Sequence, residues 1–262
     1  MLHWDAETLW LALEPLAPGL TIELLPECGS TNTTLLERAR HGLSQPTLLV
    51  ADRQTAGRGR LGRQWWSAEP GSALTFSLAL PLTPQDWSGL SLAVGLTLAE
   101  ALDQGGMQIG LKWPNDLWLR HDDRKLGGIL IETTTLPDAT DPATRLAVIG
   151  IGLNIAVSAP GGGDYRTGYV GLQELDARWD APTVLHRVAP ALLQALQRFE
   201  HSGLAPLRAA YAGRDVLAGR RLQAGAQQGV GAGIGVDGSL LLTQPDGRQL
   251  GVQSGEVSVR PC

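Results

Sequence analysis

Lysine is almost missing from this chain. Of its 21 basic residues only Lys112 and Lys125 are lysines; all the others are arginines. Cysteine is equally scarce, with only Cys28 and Cys262, which excludes a disulfide framework and any cysteine-based metal spacing. The five histidines are scattered, with no pair four residues apart, so no structural metal is expected. Apolar runs are broken by Gly, Thr or a charge well before the length of a membrane span. The start, Met1-Leu2-His3-Trp4-Asp5, has no basic region leading into an apolar one, so no signal peptide is expected. A cytoplasmic protein without membrane contact follows as the expectation. A net charge of −5 argues against sequence-independent nucleic-acid binding, which needs a broad basic face.

What remains is an ordinary globular composition, 43% apolar and 18% charged over 262 residues. That is enough for one large domain, or a main domain with a small second one. Residues 5–13 read as a short helix and Thr21–Leu25 as a strand. Ser30-Thr31-Asn32 offers capping oxygens before a helix over Thr34–His41. Strands are expected at Thr47–Ala51 and Ala73–Leu80, with a helix from Pro84 to about Asp103 stopped by Gly105-Gly106. Further strands follow at Gln108–Lys112, Asp116–Arg120, Gly128–Thr133 and Leu146–Ile155. Ser158–Gly168 reads as a Gly/Pro loop. Pro182–His201 reads as a helix kinked at Pro190, and Leu204–Ala212 as a short helical continuation. Clustered strands with only two long helical patterns indicate an α+β fold with a mixed sheet. From about Val216, short apolar runs alternate with turns such as Asp237-Gly238 and Asp246-Gly247, which indicates hairpins. Residues 1–214 are therefore expected to form one domain, and 215–262 a small all-β, SH3-like one.

Four segments carry chemistry. Gln54-Thr-Ala-Gly57-Arg58-Gly59-Arg60-Leu-Gly62-Arg63 formally matches the G-x-G-x-x-G dinucleotide pattern. That pattern should open a helix and be followed by an acidic residue about twenty positions on; here Gln64-Trp65-Trp66-Ser67 follows instead. A loop of small residues and guanidinium groups suits oxyanions such as phosphate or carboxylate, although a solvated basic hairpin tip has the same composition. Trp65 and Trp66 could stack on a flat ring or exclude water. Lys112-Trp-Pro-Asn115-Asp116 gathers an ammonium, an amide and a carboxylate at a strand end, a set suited to a nucleotide and Mg²⁺. By itself Pro-Asn-Asp is a common surface turn. Lys125-Leu-Gly-Gly128-Ile-Leu-Ile-Glu132 would let a ligand lie against bare backbone, and Ile149-Gly-Ile-Gly152-Leu-Asn154 presents an amide at a strand end. Both lysines fall within this set. Compositional bias explains why lysines are few, but not why they remain here. An ammonium is a compact point charge that a planar guanidinium does not replace.

In this order, Ser30-Thr31-Asn32, Gln54 to Arg63, Lys112 to Asp116, Lys125 to Leu130 and Gly150 to Asn154 together resemble the biotin protein ligase family. The closing Ser254-Gly-Glu-Val-Ser-Val-Arg260 looks like the end of that family's SH3-like domain. The resemblance covers about residues 25–260. It implies a biotin/lipoate ligase-like catalytic domain that uses ATP to activate biotin as biotinyl-5′-AMP. The biotinyl group would then pass to a specific lysine of a biotin carboxyl carrier domain. By the same resemblance Ser30, Thr31, Asn32 and Gln54 would surround biotin, and the loop containing Gly57, Arg58, Gly59, Arg60 and Arg63 would close over the adenylate. Arg58 and Arg60 would lie towards the reacting carboxylate and phosphate. Lys125 would stabilise charge at the carboxylate–phosphate junction, with Lys112 in support. Asn115, Gly128 and Asn154 would serve ATP, Asp116 the Mg²⁺, and Trp65 would pack beside the adenylate. The stretch before Ser30 is too short for the helix-turn-helix domain some members carry, so no repressor function and no DNA partner are expected. Monomer and homodimer are both open. Lipoate ligases are the nearest enzymatic alternative; a non-catalytic nucleic-acid module would leave the two lysines and the Asn-Asp turn unexplained, and the full acidic and basic set argues against an inactive ligand sensor.

Overall fold

A computed structural model of the chain describes residues 2–67, 69–136, 139–156, 168–255 and 259–261. The expected Ser158–Gly168 loop lies outside these residues except for Gly168. Seven strands form the main sheet: β1 (Thr21–Cys28), β2 (Thr47–Gln54), β3 (Ala73–Leu82), β4 (Ile109–Lys112), β5 (Asp116–Leu119), β6 (Lys125–Thr135) and β7 (Arg145–Asn154). Their order across the sheet is β1-β2-β3-β7-β6-β5-β4. Only β1 and β2 are parallel, joined by helix α2 (Thr31–Arg40); the other neighbours are antiparallel. The mixed α+β sheet expected from the sequence is present.

Both faces of the central strands are covered, which is why their sequences read as nearly continuous apolar runs. On β2, Leu49 packs under α2 with Leu35 and Ala39, whereas Leu48 and Val50 face the larger core. That core includes residues of α1 (Ala6–Leu13), α3 (Leu90–Leu102) and α4 (Ala181–Ser202). Several boundaries differ from expectation. Helix α2 starts three residues early because Ser30 is its N-cap, with the Thr33 N–H donating to Ser30 Oγ at 3.5 Å. Helix α3 starts at Leu90 rather than Pro84, after Gly89 takes a left-handed φ of 81°. Strand β1 continues through Pro26, which an edge strand tolerates because its missing N–H faces no neighbour. Helix α4 runs on through Pro190 without interruption. The expected helix over Leu204–Ala212 divides into a 3₁₀ turn, Ala205–Leu207, and α5 (Arg208–Ala212).

The C-terminal strands β8 (Arg221–Ala224), β9 (Gln227–Ile234), β10 (Leu240–Thr243), β11 (Gln249–Val252) and β12 (Val259–Pro261) form an antiparallel sheet in the order β11-β10-β9-β8-β12. Its hairpins turn at Gly238 and Gly247, both with positive φ, as the Asp-Gly pairs predict. This sheet is fastened to the first. Trp113, 1% exposed, donates its indole N–H to Gly238 O at 2.9 Å. Arg220 clasps Asp123 through two bonds of 2.7 and 2.6 Å. Arg214 pairs with Asp103 at 3.1 Å with side chains only 8% and 9% exposed, and also donates to Ile109 O and Asp103 O.

Burial pushes the Asp103 carboxyl up, but the amides of Ile109 and Gln108 together with Arg214 outweigh it and hold the group below its usual 3.8. A depressed carboxylate stabilises the fold above its unfolded pKa, and that contribution is lost as pH falls through the lower folded value. Arg214→Ala should therefore cost about 3–5 kcal/mol near neutral pH by stranding a buried charge. The loss, read as a lower urea midpoint, should shrink as Asp103 becomes protonated in acid. A midpoint unchanged at pH 7 would show that the pair carries no stability.

Candidate functional site

Residues directly opposite one another on antiparallel strands point to the same face. On the α2 face, the register places Thr75, Gly152, Gly128, Asp116 and Lys112 in one row across β3, β7, β6, β5 and β4. Ser77, Gly150 and Leu130 form the next row, and Ala79, Val148 and Glu132 the third. Leu146 and Val148 are apolar towards α2, but two steps further along β7 gives glycine twice. A methyl group on Gly150 would meet Asn32 Oδ1 at 2.2 Å, and one on Gly152 the Trp65 ring at 2.4 Å. The result is a glycine platform onto which other side chains pack, Asn32 on Gly150, Trp65 on Gly152 and the Lys125 ammonium over Gly128, with Asp116 and Lys112 at its edge. The buried Trp65 Nε1 has no hydrogen-bond partner among the described residues.

Lys125 reaches this platform through a β-bulge. Asp116 pairs with Gly128 and Leu117 with Gly127, but Trp118 pairs with Lys125. The extra residue reverses the alternation and puts Lys125 on the same face as Gly128. Its ammonium donates to Asp116 Oδ1 at 2.8 Å. Asn154, at the end of β7, donates to Lys125 O at 3.2 Å. Lys112 Nζ sits 4.3 Å from the centre of the Trp118 ring. Burial lowers its pKa from the usual 10.5 to about 8; Asp116 opposes the shift, while Lys125, Arg63 and Arg260 add repulsion.

Above the platform the basic segment folds as a short hairpin. Trp65 N–H donates to Gly57 O at 2.9 Å and Gly59 N–H to Arg63 O at 2.7 Å, and a 3₁₀ turn at Arg60–Gly62 forms its tip. Arg60 donates to Asn115 Oδ1 at 3.3 Å, to Gly255 O at 2.9 Å and to Ser254 O. Asn115 in turn donates to Ile129 O. Burial holds the Arg60 guanidinium below its usual range, with Asp116 partly offsetting that effect and Arg63 adding to it. Arg63 itself is exposed. A cleft of about 1010 Å³ takes in the loop, Gly89–Ser91 and Ile129–Ile131, but stops short of the two lysines.

Beneath the loop runs a chain of polar contacts. Gln54 Oε1 accepts from Thr31 N–H at 2.7 Å and lies 3.1 Å from Thr31 Oγ1. Ser77 Oγ is 2.6 Å from both Thr31 Oγ1 and Asn32 Oδ1. Asn32 Nδ2 donates to Leu130 O at 3.1 Å and to Glu132 Oε2 at 3.0 Å. The expected residues thus divide into three groups, with Gly57, Arg58, Gly59, Arg60 and Arg63 in the loop above. Lys112, Asn115, Asp116, Lys125, Gly128, Asn154 and Trp65 gather at the platform. Ser30 is spent as a helix cap, while Thr31, Asn32 and Gln54 form its polar flank. Arg58 faces Glu132. Sequence reasoning missed Ser77 and Glu132 as parts of the site. Their signal was period two: polar residues two apart (Thr75, Ser77) in an apolar strand, and Glu132 in phase with Gly128 and Leu130. Among the described residues no cluster of three His, Cys, Asp or Glu side chains could hold a metal, and no helix is long and apolar enough to cross a membrane.

Residues 25–154, the span from β1 to Asn154, match the Biotin/lipoate A/B protein ligase family. The chain is 37% identical to the bifunctional ligase/repressor BirA of Escherichia coli, over 92% of this chain and 75% of that protein. The chain belongs to the biotin protein ligase family. It is also 32% identical to the biotin–[acetyl-CoA-carboxylase] ligase of Paracoccus denitrificans, over 87% of this chain and 96% of that one. Among solved structures, the biotin protein ligase from Aquifex aeolicus in complex with biotin and ATP superposes with a TM-score of 0.75. It is 29% identical, and the match covers 92% of this chain and 99% of that one.

The two lysines allow a direct check of the site's electrostatics. Protein labelled with ¹³C at lysine Cε should show two side-chain signals, one titrating with a midpoint near 8 and lost in Lys112→Arg. Because the folded pKa lies below the unfolded one, Lys112 costs stability below about pH 8. That cost fades as pH rises towards 10.5. A Lys112 signal titrating near the usual 10.5 would show that its ammonium is solvated.

Proposed function

We propose that this chain is an ATP-dependent ligase that activates biotin as biotinyl-5′-AMP and transfers the biotinyl group to a lysine of a biotin carboxyl carrier domain. The observation that carries the reading is the glycine platform with Lys125 and Asp116 at its edge. The glycines let Trp65 and the Lys125 ammonium sit close to the strands, where they would meet a flat, extended acyl-adenylate. In the first half-reaction a biotin carboxylate oxygen attacks the α-phosphorus of ATP and pyrophosphate leaves. Lys125 and Arg60 would hold the negative charge that builds between carboxylate and phosphate, where fixed cations act most strongly. Lys112 adds positive potential from behind Asp116. Asn115 and Asn154 would orient the nucleotide, and Gly128 would leave it room. Trp65, with its unpartnered indole N–H, would wall one side, and Thr31, Asn32 and Gln54, with Ser30 capping α2 beneath them, would shape the biotin end. In the second half-reaction the carrier's lysine nitrogen attacks the acyl carbon and AMP leaves.

Mg²⁺ fits this site as an ion carried largely by the nucleotide. It takes one or two carboxylates and fills its shell with phosphate oxygens and water. Asp116 is the carboxylate placed to hold it, and when bound it would neutralise phosphate charge. In the same reading residues 1–214 form the catalytic unit and 215–262 an SH3-like unit whose end meets Arg60. Dependence on ATP and on a carboxylase carrier supports a cytoplasmic setting for the reaction.

Exchange of labelled pyrophosphate into ATP tests the first half-reaction. It should proceed with biotin and not with lipoate or octanoate; exchange with lipoate alone would move the chain to a lipoate-activating role. Lys125→Ala should lower the exchange rate by about 10²–10³, with biotin binding by calorimetry nearly unchanged. Equal losses in both would count against the role given to Lys125.

A further inference from the structure

The three arginines of the Gly57–Arg63 loop are not equivalent. Arg58 faces a carboxylate: its guanidinium donates to Glu132 Oε1 at 3.0 Å and Oε2 at 3.3 Å, and to Thr33 Oγ1 at 3.4 Å. Arg60 donates to neutral acceptors, the amide of Asn115 and two backbone carbonyls. Both terminal nitrogens of Arg58 are engaged by the one Glu132 carboxylate, whereas Arg60 is held by carbonyls and keeps its charge for the ligand; Lys125 differs because its partner Asp116 is the carboxylate placed to take Mg²⁺. Glu132 is also anchored from behind. Its Oε2 accepts from Asn32 Nδ2, and that amide is fixed by Leu130 O and Ser77. The carboxylate thus sits at the end of a hydrogen-bonded chain running back through Thr31 to Gln54, three residues before the loop begins. The loop is held to this flank through Arg58.

We infer that Glu132 is a positioning residue that seats Arg58, that Arg58 is the loop's anchor and not an anion-binding group, and that recognition of the reacting carboxylate and phosphate falls to Arg60. The inference rests on reading the loop as the cover of an acyl-adenylate, and it replaces the expectation that Arg58 and Arg60 share one task. Glu132 acts through Arg58: it sets how long the cover stays closed and makes no contact with the reacting atoms.

Two measurements test this. Glu132→Gln and Glu132→Ala should speed trypsin cleavage after Arg58, Arg60 and Arg63 by about tenfold, at an unchanged thermal midpoint, because only local opening is affected. In biotin-dependent exchange the same variants should raise KM for biotin about tenfold while kcat changes less than about threefold. Biotinyl-AMP should also dissociate faster. Arg58→Ala should match Glu132→Ala, the double variant should be no worse than either single one, and the swap of Arg58→Glu with Glu132→Arg should recover most of the loss. Arg60→Ala should instead lower kcat by about 10² or more. A kcat loss in Arg58→Ala as deep as in Arg60→Ala, with Glu132 variants like the parent, would overturn the assignment. If the parent catalysed no biotin-dependent exchange, the proposed function would fail. Proteolysis would then still decide the seat: unchanged cleavage in both Glu132 variants would refute it.

Discussion

Everything at the candidate site depends on one register, the pairing of Gly128 with Gly152 in the middle of the main sheet. Two glycines opposite each other remove side chains from neighbouring strands at one level, so Trp65 can lie directly on the sheet surface at Gly152 and the Lys125 ammonium over Gly128. The rows above it fix what surrounds that surface. Asp116 and Lys112 are carried in from β5 and β4, Thr75 from β3, and Ser77 stands one row away. A register slip of one residue would turn this set into the opposite core. The apolar packing of Leu146, Val148 and Leu49 under α2 prevents it, so the core determines the chemistry by fixing the pairing.

The charges are arranged by different physics. Lys125 and Asp116 form a partly buried pair, and Lys112 is packed over an indole where burial weakens its hold on a proton. Positive charge is concentrated around Asp116, in a protein whose net charge is negative. Cations gathered at one place suit a compact anionic group. The arginines of the loop add charge from above. Their carbonyl and carboxylate partners decide which of them is available.

Much of this was legible in the sequence because it is local or compositional. Glycines in apolar runs announced the bare strands, Asp-Gly pairs announced the C-terminal hairpins, and the confinement of lysine to two positions announced the site. Boundaries were less legible. Ser30 starts α2 early because a cap is defined by the backbone that follows it, and Pro26 sits inside β1 because only sheet order shows that β1 is an edge. Glu132 was hidden because its meaning depends on Arg58, which lies 74 residues away.

The sequence by itself determined which chemical groups this protein has available, where bare backbone occurs along each strand, and the periodicities that select an α+β fold. Those properties reside in single residues and near neighbours. Tertiary structure decided which groups share a face. Strand alternation alone would have placed Lys125 opposite Gly128, and only the bulge against Trp118 brings its ammonium to Asp116. The three loop arginines read alike in sequence. Folding gave Arg58 a carboxylate and Arg60 a set of carbonyls, because partners distant in the chain meet only when the sheet and its covering loop are packed together.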